Sequence, residues 1–248
     1  MYFDMKIFDL RSDTVTKPDE PMLENMMKAE VGDDVFGDDP TINQLERFCS
    51  ELFDKEAALF CPSGTMTNQI AINVHCRPGD EVICDESAHV YQYEGGGIAR
   101  NSLSSVKLIR GHQGIFNAQQ VIESINPDDI HKPFSRLVVI ENTSNRGGGS
   151  IWPIDKIQSV RDVCDNNNLK LHLDGARLFN ALENANYDVL DISRKFDSIS
   201  ICLSKGLGCP VGSVLIGNHD FISQARRVRK VLGGGMRQAG FLAAAGIY

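Results

Sequence analysis

The chain has 248 residues, of which 42% are hydrophobic and 23% charged, and its formal net charge is −8. This length and composition are typical of a globular protein built around one large domain. The acidic balance argues against nucleic acid or anionic membrane as a partner, since both are bound through basic patches, and favours a small-molecule substrate.

Seven short apolar segments are predicted to be strands, at residues 57–60, 81–85, 105–109, 136–142, 169–174, 198–204 and 212–217. Residues 40–53, 65–76 and 154–167 instead space their apolar residues three and four apart, which is typical of helices. Strands that alternate with helices predict an α/β domain with a mainly parallel sheet covered on both faces. Ligands bind beyond the carboxyl ends of the strands in such sheets, so polar residues there are the first site candidates.

The first candidate along the chain is the turn CPSGTMTNQ at residues 61–69, between a predicted strand and a predicted helix. Free backbone N–H groups and the helix dipole at such a turn suit a phosphate, and Gly64 and Thr65 are the expected contacts. The same pattern also occurs as a simple helix cap, and it lacks the glycine spacing of the nucleotide-binding loops. Both interpretations stay open on these residues alone.

Two histidines lie in polar, loop-like surroundings, His89 in ESAHVYQYEGG and His131 in DDIHKPF. A neutral imidazole can stack on an aromatic cofactor or transfer a proton near neutral pH. Taken alone, each is more often an ordinary, partly exposed histidine.

Two charged residues end consecutive predicted strands about 30 residues apart, Asp174 in LHLDGAR and Lys205 in LSKGLGCPVGS. A strand-end lysine with a lowered pKa can form a Schiff base, although most lysines simply point into solvent. A strand-end aspartate can pair with a protonated ring nitrogen, or merely cap the following turn. The pair is a stronger indication than either residue alone.

The sequence also bears on location and on cysteine chemistry. It contains no run of about 18 uncharged apolar residues, and residues 1–13 carry acids where a signal peptide needs a basic and then an apolar segment. This predicts a cytoplasmic protein without a membrane partner. The seven cysteines lack the spacing of metal ligands, which predicts reduced core residues and no metal site.

Six motifs in order make the chain resemble the low-specificity L-threonine aldolases, enzymes of fold type I that use pyridoxal 5'-phosphate (PLP). The motifs are DLRSDTVTKP at 9–18, VGDDVFGDDPT at 31–41, EAALFCPSGTMTNQ at 56–69, LHLDGARLFNA at 171–181, ICLSKGLGCPVGS at 201–213 and GGGMRQAGFLAAAGIY at 233–248. The resemblance implies a PLP-dependent transferase-like large domain with a seven-stranded sheet. It also implies cleavage of β-hydroxy-α-amino acids such as L-threonine and L-allo-threonine to glycine and an aldehyde.

The resemblance also assigns site residues. Lys205 would bind the cofactor covalently, Asp174 would pair with its pyridine nitrogen and His89 would stack on its ring. The other assignments are Gly64 and Thr65 to the phosphate, Arg237 near the phosphate from its own or a neighbouring subunit, Ser12 and Arg177 to the substrate carboxylate, and His131 near the β-hydroxyl. A homodimer or homotetramer is expected, because active sites in the family combine residues of two subunits.

Three features depart from the family pattern. Residues 1–248 correspond to the N-terminal segment and the large domain, and the family's smaller C-terminal domain is absent from this sequence. Phe36 and Ser144 replace a frequent tyrosine and a frequent histidine, and either could shift the substrate preference. The alternatives are another fold type I enzyme, such as a β-eliminating lyase or an aminotransferase-like relative, or a noncatalytic PLP-binding fragment. A dehydrogenase is disfavoured, since no GxGxxG turn follows a strand.

Overall fold

Seven strands form a single sheet in the order β1-β7-β6-β5-β4-β2-β3 in the computed structural model, which describes residues 9–185 and 187–248. The strands are β1 (Ala57–Cys61), β2 (Glu81–Asp85), β3 (Ser105–Ile109), β4 (Ser135–Glu141), β5 (Lys170–Gly175), β6 (Ser198–Cys202) and β7 (Ser213–Gly217). Of these, β7 runs antiparallel to both its neighbours and the other pairings are parallel. The predicted mainly parallel sheet is confirmed, and each strand lies within two residues of its predicted bounds.

The α-helices that the structure describes are α1 (Glu20–Met27), α2 (Pro40–Leu52), α3 (Gly64–His75), α4 (His89–Gln92), α5 (Gly97–Ser102), α6 (Ala118–Ser124), α7 (Ile154–Asn166), α8 (Leu178–Asn184), α9 (Val189–Ser193), α10 (His219–Val231) and α11 (Gly240–Ile247). Local sequence explains where several of them begin. Asp39 caps α2 by accepting hydrogen bonds from two backbone N–H groups, and Pro40 occupies the first turn, where a missing N–H costs nothing. Ser63 caps α3, where its hydroxyl accepts the backbone N–H of Met66.

Alternate residues of the strands pack into different hydrophobic clusters. In β4, Val138 and Ile140 pack with residues of α2 and α7, whereas Leu137 and Val139 pack in a second cluster with Ile72 of α3. Successive side chains of a strand point to opposite faces, so these clusters lie on the two faces of the sheet. Helices therefore cover both faces, and this burial explains why the strands are apolar almost throughout.

This topology brings six parallel carboxyl ends to one edge of the sheet. The chain there enters α3 after β1, the His89 segment after β2, and the Lys205 turn after β6.

None of the helices that the structure describes combines the length and apolarity needed to cross a bilayer. Residues 1–8, on which the expectation about a signal peptide partly rests, lie outside the described ranges.

Candidate active site

A cavity of about 290 Å³ opens at the carboxyl ends of the strands. It contains five of the residues singled out in the sequence, Gly64, Thr65, His89, Asp174 and Lys205. The rest of its lining is Thr14, Ser63, Asn68, Ala176, Cys202, Ser204 and Pro210. The fold thus brings together groups from five separate parts of the sequence.

Lys205 lies in the turn that follows β6, and hydrogen bonds to its backbone hold this turn. Its carbonyl oxygen accepts from the Gly208 N–H at 2.9 Å and from the Thr16 hydroxyl at 2.7 Å. Gly208 has a φ of +78°, a left-handed conformation that glycine adopts without steric cost. Gly208 is therefore required by the turn, and the N-terminal segment reaches the site through Thr16.

Asp174 ends β5 beside β6, and its carboxylate is buried. Oδ2 accepts a hydrogen bond of 2.9 Å from Nδ2 of Asn68, while Oδ1 receives the backbone N–H of Ala176 at a long 3.3 Å. Burial raises the pKa of Asp174, and the negative charge of Glu94 raises it further. The carboxylate therefore has one weakly used oxygen, and a cationic nitrogen in the cavity would stabilise its charge.

His89 is held by two buried carboxylates. Its Nδ1 lies 2.9 Å from Oε1 of Glu94, and its backbone N–H donates to Oε2 of Glu141 at 2.9 Å. The hydrogen bond to Glu94 raises the pKa of His89. The ring nitrogen of His89 and carboxylate oxygens of Glu94 and Asp174 lie within 4.8 Å of one another. The imidazole is thus fixed in orientation beside Asp174.

Glu141 ends β4, directly opposite Asp174 in the register of β4 and β5. Besides His89, its carboxylate accepts the backbone N–H of Asn145 at 3.0 Å. Burial raises the pKa of Glu141 most, repulsion from Asp174 raises it further, and together they bring it to about 7. Asp174 thus lines the cavity with the buried carboxyl groups of Glu94 and Glu141 near it, and His89 and Lys205 are the basic groups that act on it. This acidic surrounding suits a ligand with a cationic ring.

Gly64 and Thr65 form the first turn of α3, where the first N–H groups of a helix have no intrahelical partner. Ser63 satisfies the N–H of Met66 with its hydroxyl and that of Thr67 with its carbonyl. A Cβ at Gly64 would come within 2.5 Å of the Cys202 sulfur, so the close approach of this turn to β6 requires glycine. The turn has the geometry of an anion site at the end of the cavity.

Arg177 forms a two-pronged ion pair with Asp13, with Nε at 2.7 Å and Nη2 at 2.9 Å from the carboxylate oxygens. The guanidinium holds the pKa of Asp13 below its usual value. Both residues adjoin cavity-lining neighbours, Thr14 and Ala176. Ser12 stands beside them but caps the turn at residues 13–15, where its hydroxyl accepts from the N–H of Thr14.

His131 and Arg237 are not brought to the cavity of their own chain. His131 is exposed, pairs with Asp129 at 2.8 Å and lies in the loop before β4, at the opposite edge of the sheet from the cavity. Arg237 is exposed and pairs with Asp33 at 2.7 Å, next to Phe36. Phe36 and Ser144, the two departures from the family pattern, also lie outside the lining of this cavity.

Sequence reasoning missed the partners of these residues, chiefly Asn68, Glu94, Glu141 and Asp13. Glu141 could have been found, because it lies at the carboxyl end of a strand, as Asp174 does. Asn68 and Glu94 lie within the motifs already quoted, but no local pattern indicates which helix face turns inward. Their roles depend on contacts between residues 26 and 106 positions apart.

The chain is similar to known proteins of one family over nearly its whole length. The profile of the β-eliminating lyase family matches residues 9–248. The low specificity L-threonine aldolase of Escherichia coli K12 is 48% identical over 243 residues, which cover 98% of this chain and 72% of that protein. The probable low-specificity L-threonine aldolase 2 of Arabidopsis thaliana is 44% identical over 247 residues, 98% of this chain and 70% of that protein. The solved structure of a Leishmania major threonine aldolase superposes with a TM-score of 0.85 at 25% identity, covering 95% of this chain and 70% of that one.

Proposed function

The chain belongs to the β-eliminating lyase family, and we propose that it is a carbon–carbon lyase, a low-specificity threonine aldolase that depends on PLP. It cleaves L-threonine and L-allo-threonine between Cα and Cβ, releasing glycine and acetaldehyde. The observation that carries this proposal is the convergence of Lys205, Asp174 and His89 in one cavity at adjacent strand ends. The 48% identity to the Escherichia coli aldolase supports it.

The donors and acceptors of the cavity fit PLP. Lys205 would hold the cofactor covalently, Oδ1 of Asp174 would accept the pyridine N–H, and His89 would lie against the ring. The N–H groups of Gly64 and Thr65 would bind the phosphate. The bound cofactor would supply an aromatic ring that withdraws the electron pair left at Cα when a bond there breaks. Burial raises the pKa of Asp174, and the cationic nitrogen of the cofactor would stabilise its ionised carboxylate.

Arg177 and Ser12 would orient the substrate through its carboxylate. Asp13 uses Nε and Nη2 of Arg177, the side edge of the guanidinium, which leaves the Nη1–Nη2 end for a second carboxylate. A planar guanidinium binds a carboxylate through two parallel hydrogen bonds. Held in this way, the substrate would be fixed in one orientation, and orientation selects the bond that breaks.

Two of the proposed roles require a second copy of the chain. His131, proposed to act near the β-hydroxyl, precedes β4 and so lies across the sheet from its own cavity. Arg237, proposed near the phosphate, pairs with Asp33 outside the cavity lining. We therefore propose a homodimer or homotetramer in which loops of one subunit complete the site of another. We also propose that the protein is cytoplasmic.

Product analysis tests the proposed reaction. Purified protein supplied with PLP and L-threonine or L-allo-threonine should form glycine and acetaldehyde in equal amounts, measured by amino acid analysis and by reduction of the aldehyde with a coupled dehydrogenase. L-Serine supplied in parallel serves as the probe for β-elimination. Formation of pyruvate and ammonia from L-serine, with no glycine from any of the three substrates, would contradict the aldolase and favour a β-eliminating lyase.

Replacing Arg177 with lysine should raise KM for L-threonine by about tenfold with a smaller change in kcat, because lysine keeps the charge but loses the two-pronged geometry. Steady-state kinetics over a range of threonine concentrations measure the effect. Arg161→Lys is the matched control, since Arg161 makes a similar ion pair with Asp197 away from the cavity. That control should retain its KM. An unchanged KM in Arg177→Lys would contradict carboxylate binding by this residue.

A further inference from the structure

A single buried amide connects the carboxylates of Glu94 and Asp174. Nδ2 of Asn68, on α3, lies 2.9 Å from Oε1 of Glu94 and 2.9 Å from Oδ2 of Asp174. The side chain is 2% exposed, so water does not compete for these bonds. An amide nitrogen has two hydrogens and an ionised carboxylate only accepts, so both hydrogens are committed. The remaining atom, Oδ1, acts only as an acceptor.

The acceptor role of Asn68 determines the tautomer of His172. Nε2 of His172 lies 3.1 Å from Oδ1 of Asn68, so this nitrogen must carry the hydrogen. Complete burial lowers the pKa of His172 to about 3, so the ring is neutral and Nδ1 is an acceptor. The hydroxyl of Ser198, 2.8 Å away, is the donor to Nδ1.

The chain of hydrogen bonds continues beyond Ser198 to a second histidine. Oγ of Ser198 donates its only hydrogen to His172 and so accepts from Nε2 of His75 at 2.8 Å. His75 ends α3, and burial lowers its pKa to about 4, so its ring is also neutral. Every hydrogen from His75 to Asp174 then points in one direction.

We infer that Asn68, His172, Ser198 and His75 form a positioning relay that commits Oδ2 of Asp174 to a hydrogen bond and leaves Oδ1 for the cofactor nitrogen. His172 prevents the amide of Asn68 from rotating by 180°, because the opposite orientation would bring the N–H groups of Asn68 and His172 together. The relay presents only donors to Asp174 and therefore stabilises its ionised form. The effect of this relay on the cofactor rests on the proposed function.

A network that served packing alone would have a different signature. Its disruption would lower the melting temperature without altering the affinity for PLP or the pH dependence of the bound cofactor's absorbance. The relay acts on the carboxylate of Asp174, which would pair with the pyridine nitrogen, so disruption of the relay should change both properties. These readouts separate a positioning role from a structural one.

Cofactor titration of Asn68→Asp provides the first test. The substitution keeps the size of the side chain but replaces the two donated hydrogens with an acceptor beside two carboxylates. We expect PLP to bind about tenfold to a hundredfold more weakly, the range for losing a hydrogen bond to a charged group. Absorbance titration of protein stripped of PLP measures it. Asn73→Asp is the matched control on the same helix, because Asn73 donates to the backbone oxygen of Asn101, and it should bind PLP as the wild type does.

A pair of His172 variants tests the relay by rescue. Leucine removes both hydrogen-bonding groups and should weaken PLP binding and shift the pH profile of the bound cofactor's spectrum. Glutamine offers a donor and an acceptor in similar places and should restore both properties to within about threefold of wild type. Nitrogen NMR of histidine-labelled protein without cofactor should show the His172 ring neutral with its hydrogen on Nε2.

Each outcome has a definite meaning. A hydrogen on Nδ1 of His172, or wild-type affinity for PLP in both Asn68→Asp and His172→Leu, would overturn the relay. Failure of the wild-type protein itself to bind PLP would instead overturn the proposed function, and with it the cofactor role of the relay. Weakened binding in His172→Leu with rescue by His172→Gln supports the inference.

Discussion

Lys205→Ala is expected to lower the rate of glycine formation by at least about a thousandfold, as is usual when an enzyme loses its covalent catalytic group. Lys205→Arg should lose activity to the same extent, because arginine keeps the positive charge but cannot form a carbon–nitrogen double bond with the cofactor. Aldehyde release under saturating L-threonine measures both variants. Together they separate covalent binding from electrostatic attraction.

The covalent role of Lys205 also has a direct readout. Borohydride reduction of wild-type protein with PLP should fix the cofactor on the peptide that contains Lys205, and mass spectrometry should find neither variant labelled there. Lys156→Ala, which removes an exposed lysine from α7, is the matched control and should behave as wild type. Substantial aldehyde release by Lys205→Ala would contradict the assignment.

Asp174→Asn is expected to lower kcat by about a hundredfold or more, in the range found when a preorganised electrostatic partner is removed from an active site. The substitution preserves size but removes the charge that keeps a pyridine nitrogen protonated, so the ring would withdraw electrons less strongly. Single-turnover kinetics and PLP titration should show slower bond cleavage and weaker cofactor binding.

Asp197→Asn is the matched control for the Asp174 variant. Asp197 pairs with Arg161 at 2.7 Å and Lys170 at 2.8 Å and accepts the N–H of Leu171, so its role, at the opposite edge of the sheet from the cavity, is structural. We expect the control to unfold at a lower temperature while retaining kcat and PLP affinity. If Asp174→Asn behaved like this control, Asp174 would be a structural residue and its role as the nitrogen partner would be wrong.

Asp174 and Lys205 illustrate why part of the site was predictable. Asp174 lies at the end of β5 and Lys205 in the turn after β6. The carboxyl ends of parallel strands share one edge, so the topology alone brings these residues together. Gly64 and Thr65 follow the same rule through the turn after β1. The strand-end rule applies equally to Glu141, which faces Asp174 in the register.

The amino-acid sequence by itself determined the strands, the main helices and the residues at the strand ends, because apolar periodicity, helix caps and glycine turns act between close neighbours in the chain. Only the tertiary structure decided which polar groups meet. Asp13 reaches Arg177 across 164 positions, and Asn68 reaches Asp174 across 106. Such contacts depend on how buried faces pack. His131 lies away from the cavity of its own chain because it precedes β4, at the opposite edge of the sheet.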